Sequence, residues 1–145
     1  MNIIEKMRSI LESFPKISEV CNAVHIDFTD PEPTSYGLSS IGDELIEEDI
    51  LGGQIRQHTF MLYTKYSSMN DYERLNNSSA LLELGTWLEK QIDCEVTTTI
   101  GSDTYTGTIR KLTAANGMLY EVPQENELDE YQYQLQIVAE YTVDV

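Results

Sequence analysis

The sequence predicts an α+β fold, a mostly antiparallel β-sheet with two helices packed on one face. Apolar residues recur at helical spacing in two segments only, near the N-terminus and around residues 71–92. Elsewhere they alternate with polar residues or cluster in β-branched and aromatic runs, separated by turn signals such as Gly101-Ser102-Asp103 and Asn116-Gly117. A chain of 145 residues, 41% hydrophobic and 23% charged, suits one compact domain.

Ile3, Ile4, Met7, Ile10, Leu11 and Phe14 form one apolar stripe ended by Pro15, which predicts a first helix over 2–13. Val24 to Phe28 alternates like a strand and runs into Asp30-Pro31-Glu32-Pro33, where two prolines cannot donate to a ladder. Tyr36 to Ile41 reads as a further short strand. Asp43 to Ile50, acidic with few apolar anchors, reads as a loop or a short helical turn. After Gly52-Gly53 comes the longest strand-like stretch, with apolar residues on both faces, which predicts a central position. Asn70 and Glu73 resemble a capping box at the head of a second helix over 71–92, with Leu81, Leu84, Leu88 and Ile92 as its stripe. A strand–turn–strand over 97–112 follows, then a hairpin at Asn116-Gly117, then an amphipathic strand from Tyr131 to Tyr141. The helices are expected to cover the sheet through Ile10, Leu11, Phe14, Leu84 and Leu88.

The charge narrows the function. Twenty-five Asp and Glu against nine Lys and Arg give a formal net charge of -16, which repels phosphate and argues against sequence-specific DNA binding. No Lys or Arg lies between Lys16 and Arg56 or after Lys111. Such faces are either solvated for solubility, or a negative surface along which DNA passes without sticking, or a patch that meets a basic partner. No apolar run is long enough for a membrane span and the N-terminus does not read as a signal peptide, so a cytosolic protein is expected. Cys21 and Cys94 show no metal or disulfide spacing, and two free thiols are expected.

The search for chemistry finds little. His25 and His58 sit in no metal-binding pair, and no phosphate-binding glycine loop or nucleophile elbow occurs. Trp87 reads as core. No nucleophile, base and orienting group assemble along the chain, so the expectation is a non-enzyme with no catalytic residue, cofactor or metal.

Three stretches resemble a known family. They are Asp27-Phe28-Thr29-Asp30-Pro31-Glu32-Pro33-Thr34-Ser35-Tyr36, then Gly52-Gly53-Gln54-Ile55-Arg56-Gln57-His58-Thr59-Phe60, then Asn77-Ser78 with Glu83 and Trp87-Leu88-Glu89-Lys90-Gln91. With the closing Tyr131-Gln132-Tyr133-Gln134-Leu135-Gln136, their order resembles the tail-terminator ("minor capsid") proteins of head–tail joining in long-tailed phages and prophages of Gram-positive hosts. The resemblance implies an α+β virion-assembly protein. It would form a ring, commonly a hexamer, that caps the tail tube, ends its growth and receives the filled head. The implied partners are further copies of the chain, the major tail-tube protein and a head-completion or connector protein, with DNA passing through the lumen. The implied location is the host cytoplasm during assembly and then the virion. The alternatives are a head-completion or connector protein of the same neck, and a small acidic binding module. Candidate contacts are Asp30, Glu32, Tyr36, Glu47, Glu48, Asp49 and Arg56, in segments expected to order on docking at 30–49 and 101–106. Arg56 is expected either to pair with Glu47, Glu48 or Asp49 of a neighbouring subunit or to stand solvated.

Overall fold

The computed structural model describes residues 1–15, 24–26, 36–66, 82–121 and 131–145. Helix α1 spans Ile3–Glu12, and a second helical segment, α2, is described over 82–88. The strands are β1 (Val24–Ile26), β2 (Tyr36–Glu48), β3 (Gln54–Tyr66), β4 (Glu95–Ile100), β5 (Asp103–Glu121) and β6 (Tyr131–Val143). They form one six-stranded sheet in the order β1-β2-β3-β6-β5-β4. Only the β1–β2 pair is parallel, so the architecture is the mostly antiparallel α+β arrangement that the sequence predicts.

Asn2 caps α1 by accepting a hydrogen bond at Oδ1 from the Glu5 N–H at 2.9 Å, which satisfies one of the four orphan donors of the first turn. The stripe of α1 buries Ile3, Met7, Ile10 and Leu11. These residues join Phe14, Leu84 and Leu88 from the helical side and Leu38, Phe60, Leu62, Ile109, Leu112 and Ile137 from the sheet in one hydrophobic cluster. Both helices thus cover the same sheet face. Phe14 and Trp87 close the gap between them, with tilted rings 5.2 Å apart.

Alternation sets the faces of the central strands. His58, Phe60 and Leu62 of β3 face the core beside Leu135, Ile137, Ala139 and Tyr141 of β6. Gln57, Thr59 and Met61 take the other face with Gln136, Val138 and Glu140, all half-buried.

The structure corrects four expectations. The acidic segment 43–48 is neither loop nor helical turn but part of β2, which runs from Tyr36 to Glu48 and pairs with β3 through two register shifts; only 49–50 belong to the turn. Cross-strand pairing outweighs the poor strand propensity of its Asp and Glu residues. Asn116-Gly117 makes no hairpin, since β5 continues through it to Glu121. There Ala115 pairs with Gln136 and Met118 with Gln134, so the dipeptide forms a bulge opposite Leu135. That continuation makes β5 the longest strand, at 19 residues, in place of β3. Lastly, α2 ends at residue 88 rather than 92. Its expected start, with the Asn70–Glu73 capping box and Leu81, lies outside the described residues.

Candidate functional site

The outer part of the β2–β3 hairpin is exposed along β2 and into the turn. From Ser40 to Leu51 every residue is exposed. β1 accompanies β2 only as far as Leu38, so the remainder of β2 is a sheet edge among the described residues. Two bulges interrupt this edge. Ser40 pairs with Phe60 and Gly42 with Thr59, leaving Ile41 as the extra residue; Leu45 pairs with Arg56 and Glu47 with Ile55, leaving Ile46. Bulges and carboxylates both discourage indiscriminate pairing of an edge strand. Here the extra residues are isoleucines, both exposed, and Leu45 is exposed beside them.

The hairpin tip continues the apolar row. Asp49 Oδ1 accepts hydrogen bonds from the Leu51 and Gly53 N–H groups, each at 2.9 Å, and the Asp49 N–H donates to the Gly53 carbonyl at 2.8 Å. Gly52 adopts φ +93°, a conformation that favours glycine, and a Cβ at Gly53 would lie 2.6 Å from the Asp49 carboxylate. This closed turn pushes Ile50 and Leu51 into solvent, at 103% and 82% exposure. Asp49 therefore builds the turn. Glu47 and Glu48 remain on the exposed face that the sequence assigns to them.

At the hairpin root lies a cluster of polar side chains. Asp43 Oδ1 accepts from Arg56 Nε at 2.5 Å, and Asp43 Oδ2 accepts from the Tyr141 hydroxyl at 2.6 Å and lies 2.9 Å from His58 Nδ1. On the other side of the ring, His58 Nε2 lies 2.5 Å from Ser40 Oγ. Arg56 also donates from Nη1 to the Gln54 side chain at 2.9 Å. His58 is 5% exposed and packs on Phe60 with ring centroids 4.4 Å apart. Burial opposes ionisation of Asp43. The bonds from Tyr141, Arg56 and His58 outweigh it and hold the carboxyl below the usual carboxylate range. Burial first, and the Asp43 carboxylate second, push the Tyr141 phenol up. The Arg56 guanidinium is pushed up chiefly by its bond to Asp43.

The first bulge assembles this cluster. Residues 40 and 43 are an odd number apart and would point to opposite faces of a regular strand. The extra residue Ile41 shifts the register so that Asp43 pairs directly with His58, and both Ser40 and Asp43 meet the same imidazole. A carboxylate only accepts, so Nδ1 donates to Asp43, and in the neutral ring Nε2 is left to accept the Ser40 hydroxyl proton.

Comparison with known protein families and with curated proteins finds no match for this chain.

Of the contacts expected from the sequence, Arg56 bonds within the chain, to Asp43 and Gln54, and its side chain is 26% exposed. Within 30–49, Tyr36–Glu48 forms strand β2, and 101–106 is the turn between β4 and β5 with the start of β5. Asp30 and Glu32 lie outside the described residues, as does Cys21; Tyr36 opens β2, its side chain also beyond description. Cys94 is a half-buried free thiol. No group of three metal-ligating side chains occurs among the described residues, and none of their helices is long and apolar enough to cross a membrane. Ser40 and Asp43 were not legible as partners of His58, nor Tyr141 as a partner of Asp43. The signal in the sequence was His58 itself, alternating with Phe60 and Leu62 along β3.

Proposed function

We propose that this protein is a ring-forming assembly protein of the tail-terminator type, which caps a phage tail tube and offers the surface to which the head docks. The observation that carries the proposal is the row of exposed apolar residues along the β2–β3 hairpin, Ile41, Leu45, Ile46, Ile50 and Leu51, framed by Asp and Glu. An isolated exposed leucine needs no explanation, but five exposed large apolar side chains within one hairpin favour a protein–protein contact. Neighbouring copies in the ring would cover this row. The acidic frame suits a lumen through which DNA must slide, since basic residues there would hold phosphate.

The test is a phage or prophage lacking the gene. Overlong tails and unattached filled heads are expected, restored by the wild-type gene but not by the double variant Ile50→Asp, Leu51→Asp. Tails of normal length would reject the terminator reading. Normal tails with heads that leak DNA would favour the connector position in the neck.

A further inference from the structure

The geometry points to Ser40 as an activated nucleophile that takes acyl groups from carboxylic esters, with His58 as its base and Asp43 as the residue that positions the ring. Ser40 Oγ, His58 Nε2, His58 Nδ1 and Asp43 Oδ2 form one continuous line with separations of 2.5 and 2.9 Å at its two hydrogen bonds. That is the relation a nucleophile, a general base and an orienting carboxylate require, and it is recognised by geometry, not by sequence order. The exposures are divided as the chemistry needs. Ser40 is open to solvent, while the imidazole behind it is buried and packed against Phe60 at a tilt of 36°. Tyr141 and Arg56 in turn fix the carboxylate, so the whole line rests on β2, β3 and β6 instead of on loops.

In the acylation step the Ser40 oxygen bonds to the carbonyl carbon while its proton passes to His58 Nε2. The carbon–oxygen bond to the leaving group then breaks, and the departing alkoxide takes that proton and leaves as an alcohol. Water completes the cycle: His58 removes its proton, the hydroxide oxygen bonds to the acyl carbon, the bond to Ser40 breaks, and the proton returns to Ser40 Oγ. The oxyanion formed in each step needs donors. Beyond Leu38 the outward-facing peptide N–H groups of β2 have no strand partner among the described residues, and the Ile41 bulge changes their direction beside Ser40. This chemistry is independent of ring formation, because it requires only the hairpin root.

The purified chain is treated with an alkyl fluorophosphonate, in which the serine oxygen displaces fluoride at phosphorus, and the adduct is located by peptide mass spectrometry. Hydrolysis of 4-nitrophenyl acetate is followed in parallel. One adduct on Ser40 is expected, absent in Ser40→Ala, whose exposed position leaves folding intact. His58→Gln should slow both reactions about 100-fold or more, the usual contribution of a general base. Asp43→Asn should leave Ser40 labelled but change the pH profile, a readout that a purely structural role would not move. The groups facing His58 in this profile are Asp43 on β2, Arg56 on β3 and Tyr141 on β6. Should His58→Gln fail to fold, labelling in the wild type itself decides, since an activated Ser40 must react faster than the exposed turn residue Ser102. Labelling of Ser40 no faster than of Ser102, or a rate indifferent to His58→Gln, would overturn the inference.

Discussion

At the scale of single residues, Asp43 is the group on which the hairpin root depends. It accepts from Arg56, His58 and Tyr141 while its side chain is 25% exposed, so its carboxylate is partly desolvated and held by these donors. Asp43→Asn should cost about 1.5–3 kcal/mol at neutral pH, the range for hydrogen bonds to a charged group, as measured by urea denaturation. The folded protein favours the ionised carboxylate, so this contribution is complete above the ordinary carboxylate range and is lost as pH falls through the lowered value. The gap between wild type and Asp43→Asn should therefore close below about pH 4. Tyr141 acts at the opposite end of the scale. Its phenol is favoured in the protonated form, so its contribution is complete below about pH 10 and declines above it as the unfolded chain ionises first. Tyr141→Phe should flatten that alkaline decline in a pH series of thermal unfolding. Alternation puts His58 on one face of β3 with Phe60 and Leu62, but apolar residues on both faces left the core side open, and its partners were not legible. The bulge at Ile41 breaks the period of two on which any reading of faces depends, and a bulge leaves no mark in composition.

At the scale of elements, two glycines under different constraints make opposite predictions. A Cβ at Gly107 in β5 would fall 1.7 Å from the Thr142 carbonyl oxygen, so the strand backbones approach too closely for any side chain. Gly107→Ala should destabilise by about 1–3 kcal/mol or more. Gly85 in α2 faces Ala114 with 3.5 Å available, an ordinary contact. Gly85→Ala should instead stabilise by about 0.5–1 kcal/mol through helix propensity, and parallel denaturation curves of the two variants check both signs. Leu84→Ala and Leu88→Ala should each cost about 2–5 kcal/mol, since both side chains are fully buried between the helix and the sheet. The stripes of α1 and α2 and the alternation of β6 were legible because each has one apolar face and therefore a period, whereas β3 was legible as a central strand because both its faces carry apolar residues. The outer half of β2 has no buried face among the described residues, and its acidic residues look the same in a strand as in a loop. Asn116-Gly117 misled for a related reason: the dipeptide fits a bulge as well as a two-residue turn, and only pairing with β6 decides between them.

At the scale of the whole molecule, the charge of -16 opposes any assembly of identical copies, while the apolar row on the hairpin favours it. Self-association should strengthen between low salt and about 0.15 M, where screening shortens the reach of repulsion to roughly 8 Å without weakening apolar contact. Sedimentation of the wild type beside the Ile50→Asp, Leu51→Asp variant checks this, the variant remaining monomeric at every salt concentration.

The seam between β3 and β6 sets the order in which this sheet can be made. Their thirteen paired positions run from Tyr66 with Tyr131 to Gln54 with Val143, partners 65 residues apart at one end (131 minus 66) and 89 at the other (143 minus 54). The β2–β3 and β4–β5 hairpins join near neighbours and can close in microseconds, but the seam must recruit its partner across half the chain. During synthesis β1 to β5 leave the ribosome before the strand that belongs at the centre of their sheet. Until β6 emerges, β3 and β5 each present an open edge to the cell. A stalled or truncated chain would display the same two edges permanently, a substrate for chaperones and a nucleus for aggregation, whereas a completed one covers both in a single event.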